Sequence, residues 1–360
     1  MLVRTLEQAP HGAVSLARVR HGSEQGHLVE VRELRPSAPA REHQRLEEEF
    51  RLVAWLTHPS IVRIHGLHRQ LDGTRYLVTE HVPGYWLETV ISFGQLRGRP
   101  LSESFALYVA AEVAGALHAA HTLTDAVGQP LGLLHRDVNP ANIRIGQEGE
   151  VKLSGFITAF SRLPGRRETT YGVLRGDLAY AAPERLEAGA AAGVDARADL
   201  FSLGLVLLET LTARHLYDLE EIETKAWGQK PGAAPEVTAL RAEVESWVPA
   251  AQMARRAAAV QPRHVEQATR GLSEPTRDLL RKLLQRDPAR RYTSGAELQA
   301  ALRDRLARSG LPHGSGYAAR EVTQASRSAE GRRRKANPLE SGVCPPGYRV
   351  GQEADSSSRS

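Results

Sequence analysis

The hydrophobic rhythm of the chain changes near residue 82. Before it, residues 13–20 and 27–34 alternate with a period of two, as half-buried strands do, and residues 2–6 make a plausible strand at the start. One helical stretch interrupts them. Over 41–56 the apolar residues Leu46, Phe50, Val53 and Leu56 recur at helical spacing after a glutamate-rich turn. Beyond Pro83 the pattern is mostly helical, with long apolar-periodic segments over 105–121 and 198–211 and closing helices over 276–284 and 294–306. From about residue 310 Gly, Ser, Pro and charge take over and the periodicity fades, which predicts a disordered tail. The expected organisation is α+β: a strand-rich unit over 1–82, a helical unit over 83–308 and a basic tail over 309–360. No internal repeat interrupts it.

Composition adds limits rather than direction. A chain of 360 residues with 41% hydrophobic and 25% charged side chains can bury a sizeable core. No apolar run reaches the roughly 20 residues that span a bilayer. The start reads as a strand rather than a secretory segment, so a cytoplasmic setting is expected. Cys344 is the single cysteine, which excludes an intramolecular disulfide. Of the net charge of +5, the residues from 310 onward carry eight Arg or Lys against five Asp or Glu. What remains on the body is too little to predict a nucleic-acid surface. The short run Arg332-Arg333-Arg334-Lys335 reads either as part of a solvated tail or as a contact for an acidic partner or lipid surface.

The chemistry lies in a set of ordered motifs. L-L-H-R-D-V-N-P-A-N-I-R-I over 133–145 resembles a protein kinase catalytic loop, and V-K-L-S-G-F over 151–156 resembles the strand that leads into the metal triplet. G-D-L-A-Y-A-A-P-E-R over 176–185 resembles the end of an activation segment. H-P-S-I-V over 58–62, Y-L-V-T-E over 76–80 and D-A-R-A-D-L-F-S-L-G over 195–204 fall in the family's order, as does D-P-A-R-R-Y over 287–292. The chain over about 1–308 is therefore similar to a bacterial Hanks-type Ser/Thr protein kinase. The resemblance implies a two-lobed fold with a small antiparallel β lobe over 1–82, carrying one regulatory helix, and a large helical lobe over 83–308. It places Glu49 on the regulatory helix, Thr79 as gatekeeper and Asp199 as anchor of the catalytic loop. Glu184 and Arg291 become a buried ion pair, and Val53, Ile64, His135, Phe156 and Asp199 a packed spine.

The departures from the pattern concentrate in the cleft. Gly155 stands where the metal-binding aspartate belongs, leaving Asn142 as the remaining candidate magnesium ligand, and a lone neutral amide holds a hard dication poorly. V-E-V-R-E-L-R-P over 29–36 puts Arg32 at the phosphate-pairing lysine, and no lysine precedes Lys152. L-E-Q-A-P-H-G-A-V over 6–14 keeps only Gly12 of the phosphate loop's glycines, adds Pro10, and sets Glu7 where a triphosphate would be repelled. In the adenine slot the resemblance puts Glu30, Val14 and Arg144. Either Glu30 and Arg144 pair across the lobes in place of adenine, or both reach out to solvent at the cleft mouth. Asp137 keeps the catalytic-base position. Asn139 replaces the loop lysine, and Asp177 replaces a threonine and brings a second carboxylate near Asp137. Arg136 could receive a phosphate on Thr169, Thr170 or Tyr171.

These substitutions predict a pseudokinase with a cleft closed by its own ionised side chains. It would need neither ATP nor magnesium, and would regulate or scaffold a protein partner such as an active kinase. The alternative is a weak or atypical ATP-dependent Ser/Thr kinase, for which Mg·ATP would be the cofactor.

Overall fold

The computed structural model describes residues 1–9, 11–22, 24–156, 173–174, 177–187, 194–218, 241–242 and 250–336. The runs predicted as strands become β1 (Leu2–Ala9), β2 (Gly12–Arg18) and β3 (Leu28–Leu34). After helix α1 (Ala40–Val53) come β4 (Ile64–Arg69) and β5 (Arg75–Glu80). They form one antiparallel sheet in the order β1-β2-β3-β5-β4. Register puts Val14 opposite Arg32 and Glu30 opposite Thr79, so these side chains share one face. Gly12 is required by packing: a β-carbon there would stand 1.9 Å from the Glu33 carbonyl oxygen.

Helix α1 buries Leu46, Glu49, Leu52 and Val53 and leaves Phe50 half-buried. Of the apolar stripe legible in the sequence, Leu46, Val53 and Leu56 are buried. The buried face also takes in Leu52 and Glu49, which turns inward toward a cationic partner on β3.

The large lobe opens with β6 (Gly84–Trp86), α2 (Leu87–Leu96) and α3 (Glu103–His121). β7 (Ile143–Gly146) and β8 (Val151–Leu153) join β6 in a three-stranded antiparallel ribbon. α4 (Pro183–Glu187), α5 (Arg197–Thr212), α6 (Ala250–Ala259) and α7 (Pro262–Ala268) follow. α8 (Glu274–Leu283) and α9 (Gly295–Ser309) close the lobe. α3 and α5 are buried almost all round, as expected of helices at the centre of a large core. Ser102 caps α3 by accepting from the Phe105 N–H at 3.2 Å, and Ser294 caps α9 by accepting from the Glu297 N–H at 3.2 Å. The fully buried Arg291 guanidinium grips Glu184 with two hydrogen bonds of 2.7 and 2.8 Å and stacks on Phe201.

The expectation of a disordered tail from residue 309 is corrected for 315–336. Helix α10 (Ser315–Ala336) runs there and packs on α2, α3 and β7. Ala318, Val322, Ala325 and Ala329 form its buried stripe, at helical spacing. Three of the four are alanines, so hydropathy barely rises above the polar background. The Glu321 carboxylate, also buried, accepts from the Ser102 N–H at 2.6 Å and from the Ser102 hydroxyl. At the turn between β7 and β8, Gly149 has φ of +80° and lies so close to α10 that a β-carbon would meet the Ser315 carbonyl at 1.9 Å. Residues 337–360 lie outside the described residues. Among those described, no helix is long and apolar enough to cross a membrane.

Candidate active site

The roof of the cleft is the inner face of the small-lobe sheet. Arg32 on β3 reaches Glu49 on α1, N to O, at 2.5 Å. The carboxylate is almost fully covered, whereas the guanidinium is about a third exposed. Val14, Thr79 and Ile64 lie on the same face, and Glu7 stands at its edge. Gly12 does not line the cleft; β3 backbone fills the space beside it.

The floor is built by the catalytic-loop segment. Asp199, at the start of α5, accepts the His135 and Arg136 N–H groups at 2.8 Å each and contacts His121 Nε2 at 2.9 Å. Arg136 holds φ of +66°, a left-handed conformation that this pair of bonds stabilises. Burial alone would raise the Asp199 carboxyl, but the His121 hydrogen bond and the neighbouring imidazoles and backbone donor hold it at about 2. His135, fully buried, is pushed down by desolvation and packs edge-on against Phe156, ring centroids 4.5 Å apart. Val53 and Ile64 complete the spine on the small-lobe side.

Asp137 is saturated by its own loop. Its carboxylate accepts from Asn139 Nδ2 at 2.8 Å, Asn142 Nδ2 at 2.9 Å and the Asp177 N–H at 2.7 Å. Asn139 in turn accepts the Ala141 and Asn142 N–H groups, fixing the short turn over 140–142. Asp177 caps the next turn by accepting the Ala179 N–H at 2.9 Å. Burial pushes its carboxyl above the usual range, and the nearby Asp137 adds to the rise.

Gly155 has φ of +85°, where a residue with a side chain is strained. A β-carbon at that position would stand 2.5–2.7 Å from the amide atoms of Asn142. The amide occupies the space through which a side chain at residue 155 would leave the backbone. Among the described residues no group of three or more His, Cys, Asp or Glu is placed to hold a metal ion.

Between roof and floor, Glu30 meets Arg144 with Oε1 to Nη1 at 3.4 Å. Both side chains are largely covered, so the pair lies inside the cleft rather than reaching out from its mouth. The shorter contact of Glu30 is to His81 Nδ1, at 2.8 Å. The Arg144 guanidinium sits over the Trp86 ring, 4.7 Å from its centroid, because the register of β6 with β7 places these two residues opposite each other. Beside them Lys152 on β8 donates to Glu80 at 2.7 Å. His81, Trp86 and the Glu80–Lys152 pair escaped the sequence reading. The signal available was position: His81 lies two residues past Thr79, and Trp86 pairs with the floor strand.

The expected closure of the cleft is corrected. A cavity of about 550 Å³ remains, lined among others by Leu6, Glu7, Val14, Glu30, Arg32, Thr79, Trp86, Asn142, Arg144 and Phe156. The charges pair along its walls rather than filling it, since each partner is held back by a strand on its own lobe. Thr169, Thr170 and Tyr171 lie outside the described residues.

Comparison with known proteins follows the same lines. The protein kinase domain family model matches residues 10–304. Tyrosine-protein kinase MasK of Myxococcus xanthus is 36% identical over 167 residues, 46% of this chain and 25% of that protein. Serine/threonine-protein kinase PknJ of Mycobacterium tuberculosis is 32% identical over 261 residues, 71% of this chain and 37% of that protein. A probable serine/threonine-protein kinase of Clostridium perfringens, CPE1738, is 28% identical over 255 residues, 71% of this chain and 31% of that protein. The matched part of the chain therefore spans only 25% to 37% of these relatives' own length.

Proposed function

This chain belongs to the protein kinase family, and we propose that it is a catalytically inactive member, a pseudokinase that regulates or scaffolds a protein partner by binding it. The observation that carries this reading is the place of Asn142. Its amide sits where a metal-binding side chain at residue 155 would emerge, and it is hydrogen-bonded to Asp137. Phosphoryl transfer depends on positioning and charge neutralisation, and magnesium needs several hard oxygen ligands in near-octahedral array. The residues present do not fit Mg·ATP. Gly155 offers no ligand, Arg32 puts a bulkier fork-shaped donor where the phosphate-pairing lysine belongs, Glu30 and Arg144 charge the adenine slot, and Glu7 opposes phosphate. Asp137 acts here as a structural acceptor that gathers the loop and the Asp177 segment. An active kinase is the class of partner proposed for such a module.

A second reading, a weak or atypical ATP-dependent Ser/Thr kinase, draws support from the open 550 Å³ cavity and the assembled spine. A thermal melt with and without Mg·ATP separates the two. Saturation at 100-fold above a dissociation constant would add about 2.7 kcal/mol. The pseudokinase reading expects no such shift and no transfer of γ-phosphate by the purified chain. Transfer that is lost in Asp137→Asn would establish the second reading instead.

A further inference from the structure

The charged pair inside the cavity is only half satisfied. Glu30 makes both of its contacts through Oε1, to His81 at 2.8 Å and Arg144 at 3.4 Å, and Oε2 has no hydrogen-bond partner among the described residues. Arg144 donates only through Nη1. Its Nε is buried without a partner, and Nη2 has none among the described residues either. Neither Oε2 nor Nη2 is sealed from solvent, and both residues line the cavity. The one bond between them is at the long limit for a hydrogen bond and is easily exchanged. The cavity therefore presents a free anionic acceptor from the small lobe beside a free cationic donor from the large lobe.

We propose that this cavity binds a small zwitterion, an apolar α-amino acid or a close relative, with its ammonium on Glu30 and its carboxylate on Arg144. The inference rests on the reading that Mg·ATP is not the occupant. A ligand with a single charge would satisfy one side of the pair and strand the other in a partly desolvated site, which is costly. A zwitterion satisfies both. Trp86 lies under the guanidinium and holds its fork in place for a planar carboxylate. His81 fixes the Glu30 carboxylate through the oxygen that the ligand does not need. The neighbouring Arg32 and Glu49 cancel each other, so they bring no competing net charge. Val14, Ile64, Val82 and Phe156 supply apolar wall for a hydrophobic side chain. A volume of about 550 Å³ lies within the usual range for small-molecule sites.

The test is a melt of the full chain titrated with L-leucine and with L-phenylalanine. Controls are 3-methylbutylamine and phenethylamine, which lack the carboxylate, and 4-methylpentanoate and 3-phenylpropionate, which lack the ammonium. Guanosine, a neutral ligand with donor and acceptor edges, completes the set. The expected result is a shift with an amino acid and none with its singly charged analogues. Calorimetry should then show the affinity falling about tenfold or more in Arg144→Met and in Glu30→Gln. An equal shift with an amine or an acid alone, a shift with guanosine but no amino acid, or no shift at all would overturn the proposal. Because the ligand series is read on the unaltered chain, the result stands even if a variant fails to fold. A shift with Mg·ATP in the same melt would refute the pseudokinase reading separately, whatever the amino acids do.

Discussion

At Asp177 a carboxylate occupies a position where the surroundings favour its neutral form. Burial, with the carboxylate of Asp137 adding to it, pushes its pKa upward. The folded state thus holds a proton that the unfolded chain has released, and stability declines as pH climbs from the ordinary value of 3.8 through the raised one. Asp177→Asn keeps the cap on the Ala179 N–H and removes the charge, so the variant should melt higher than the parent at neutral pH and lose that decline. A pH series of melting temperatures checks it. Asp199 has the opposite sign. Held at about 2, it stabilises the fold above the unfolded value of 3.8 and loses that contribution as pH falls toward 2. Glu30 gives a different residue-scale outcome. Glu30→Ala removes a partner from both His81 and Arg144 and leaves a half-buried guanidinium unpaired, at a cost of about 1–3 kcal/mol. Urea denaturation at neutral pH measures it, and a loss near zero would mean that the pair contributes nothing.

At the scale of elements, α10 is held less by apolar area than by one buried carboxylate. Its stripe is mostly alanine, and Glu321 gathers two hydrogen bonds from Ser102, the residue that also caps α3, with Arg97 at 3.6 Å. Glu321→Ala should therefore cost about 2–3 kcal/mol, in the range of hydrogen bonds to a charged group. In hydrogen exchange, amides of α10 should lose protection first, with α2 following. An unchanged exchange pattern would show that the alanine stripe suffices. The same helix marks the limit of what the sequence discloses. Strands β2 and β3 and helices α3, α5, α8 and α9 are legible because large apolar residues repeat at the period of the element. α10 is not, because alanine carries a packing pattern that hydropathy scarcely registers. On α1 the apolar period located Leu46, Val53 and Leu56 on the buried side, whereas the inward turn of Glu49 toward Arg32 was legible only from motif order, since no apolar period announces an ion pair. In the site, Glu30, Arg32, Arg144 and Gly155 were legible from motif order. His81 and Trp86 were not, since their roles arise from strand register and hinge position rather than from residue type.

At the scale of the whole molecule, the two lobes differ in how they tolerate change. The large lobe is organised around α3, α5 and the buried Arg291–Glu184 pair, and truncating either partner there would leave a charge stranded, costing about 3–5 kcal/mol. The cleft, by contrast, has settled into a mutually compensated set. Arg32 answers Glu49, Arg144 answers Glu30, and Asn142 uses the space beside Gly155. If the proposed pseudokinase reading holds, conversion to an active kinase has no easy first step. Gly155→Asp must displace the Asn142 amide and strain a backbone at φ of +85°. Arg144→Leu leaves Glu30 with His81 as its remaining partner, and Arg32→Lys exchanges a fork-shaped donor for a point charge opposite Glu49. Gly155→Asp and Arg144→Leu should each lower the melting temperature, Gly155→Asp most, and none of the three single changes should confer a shift with Mg·ATP. A gain of Mg·ATP-dependent stability in Gly155→Asp alone would mean that the floor of the cleft is still organised for metal, and that only one carboxylate separates this chain from catalysis.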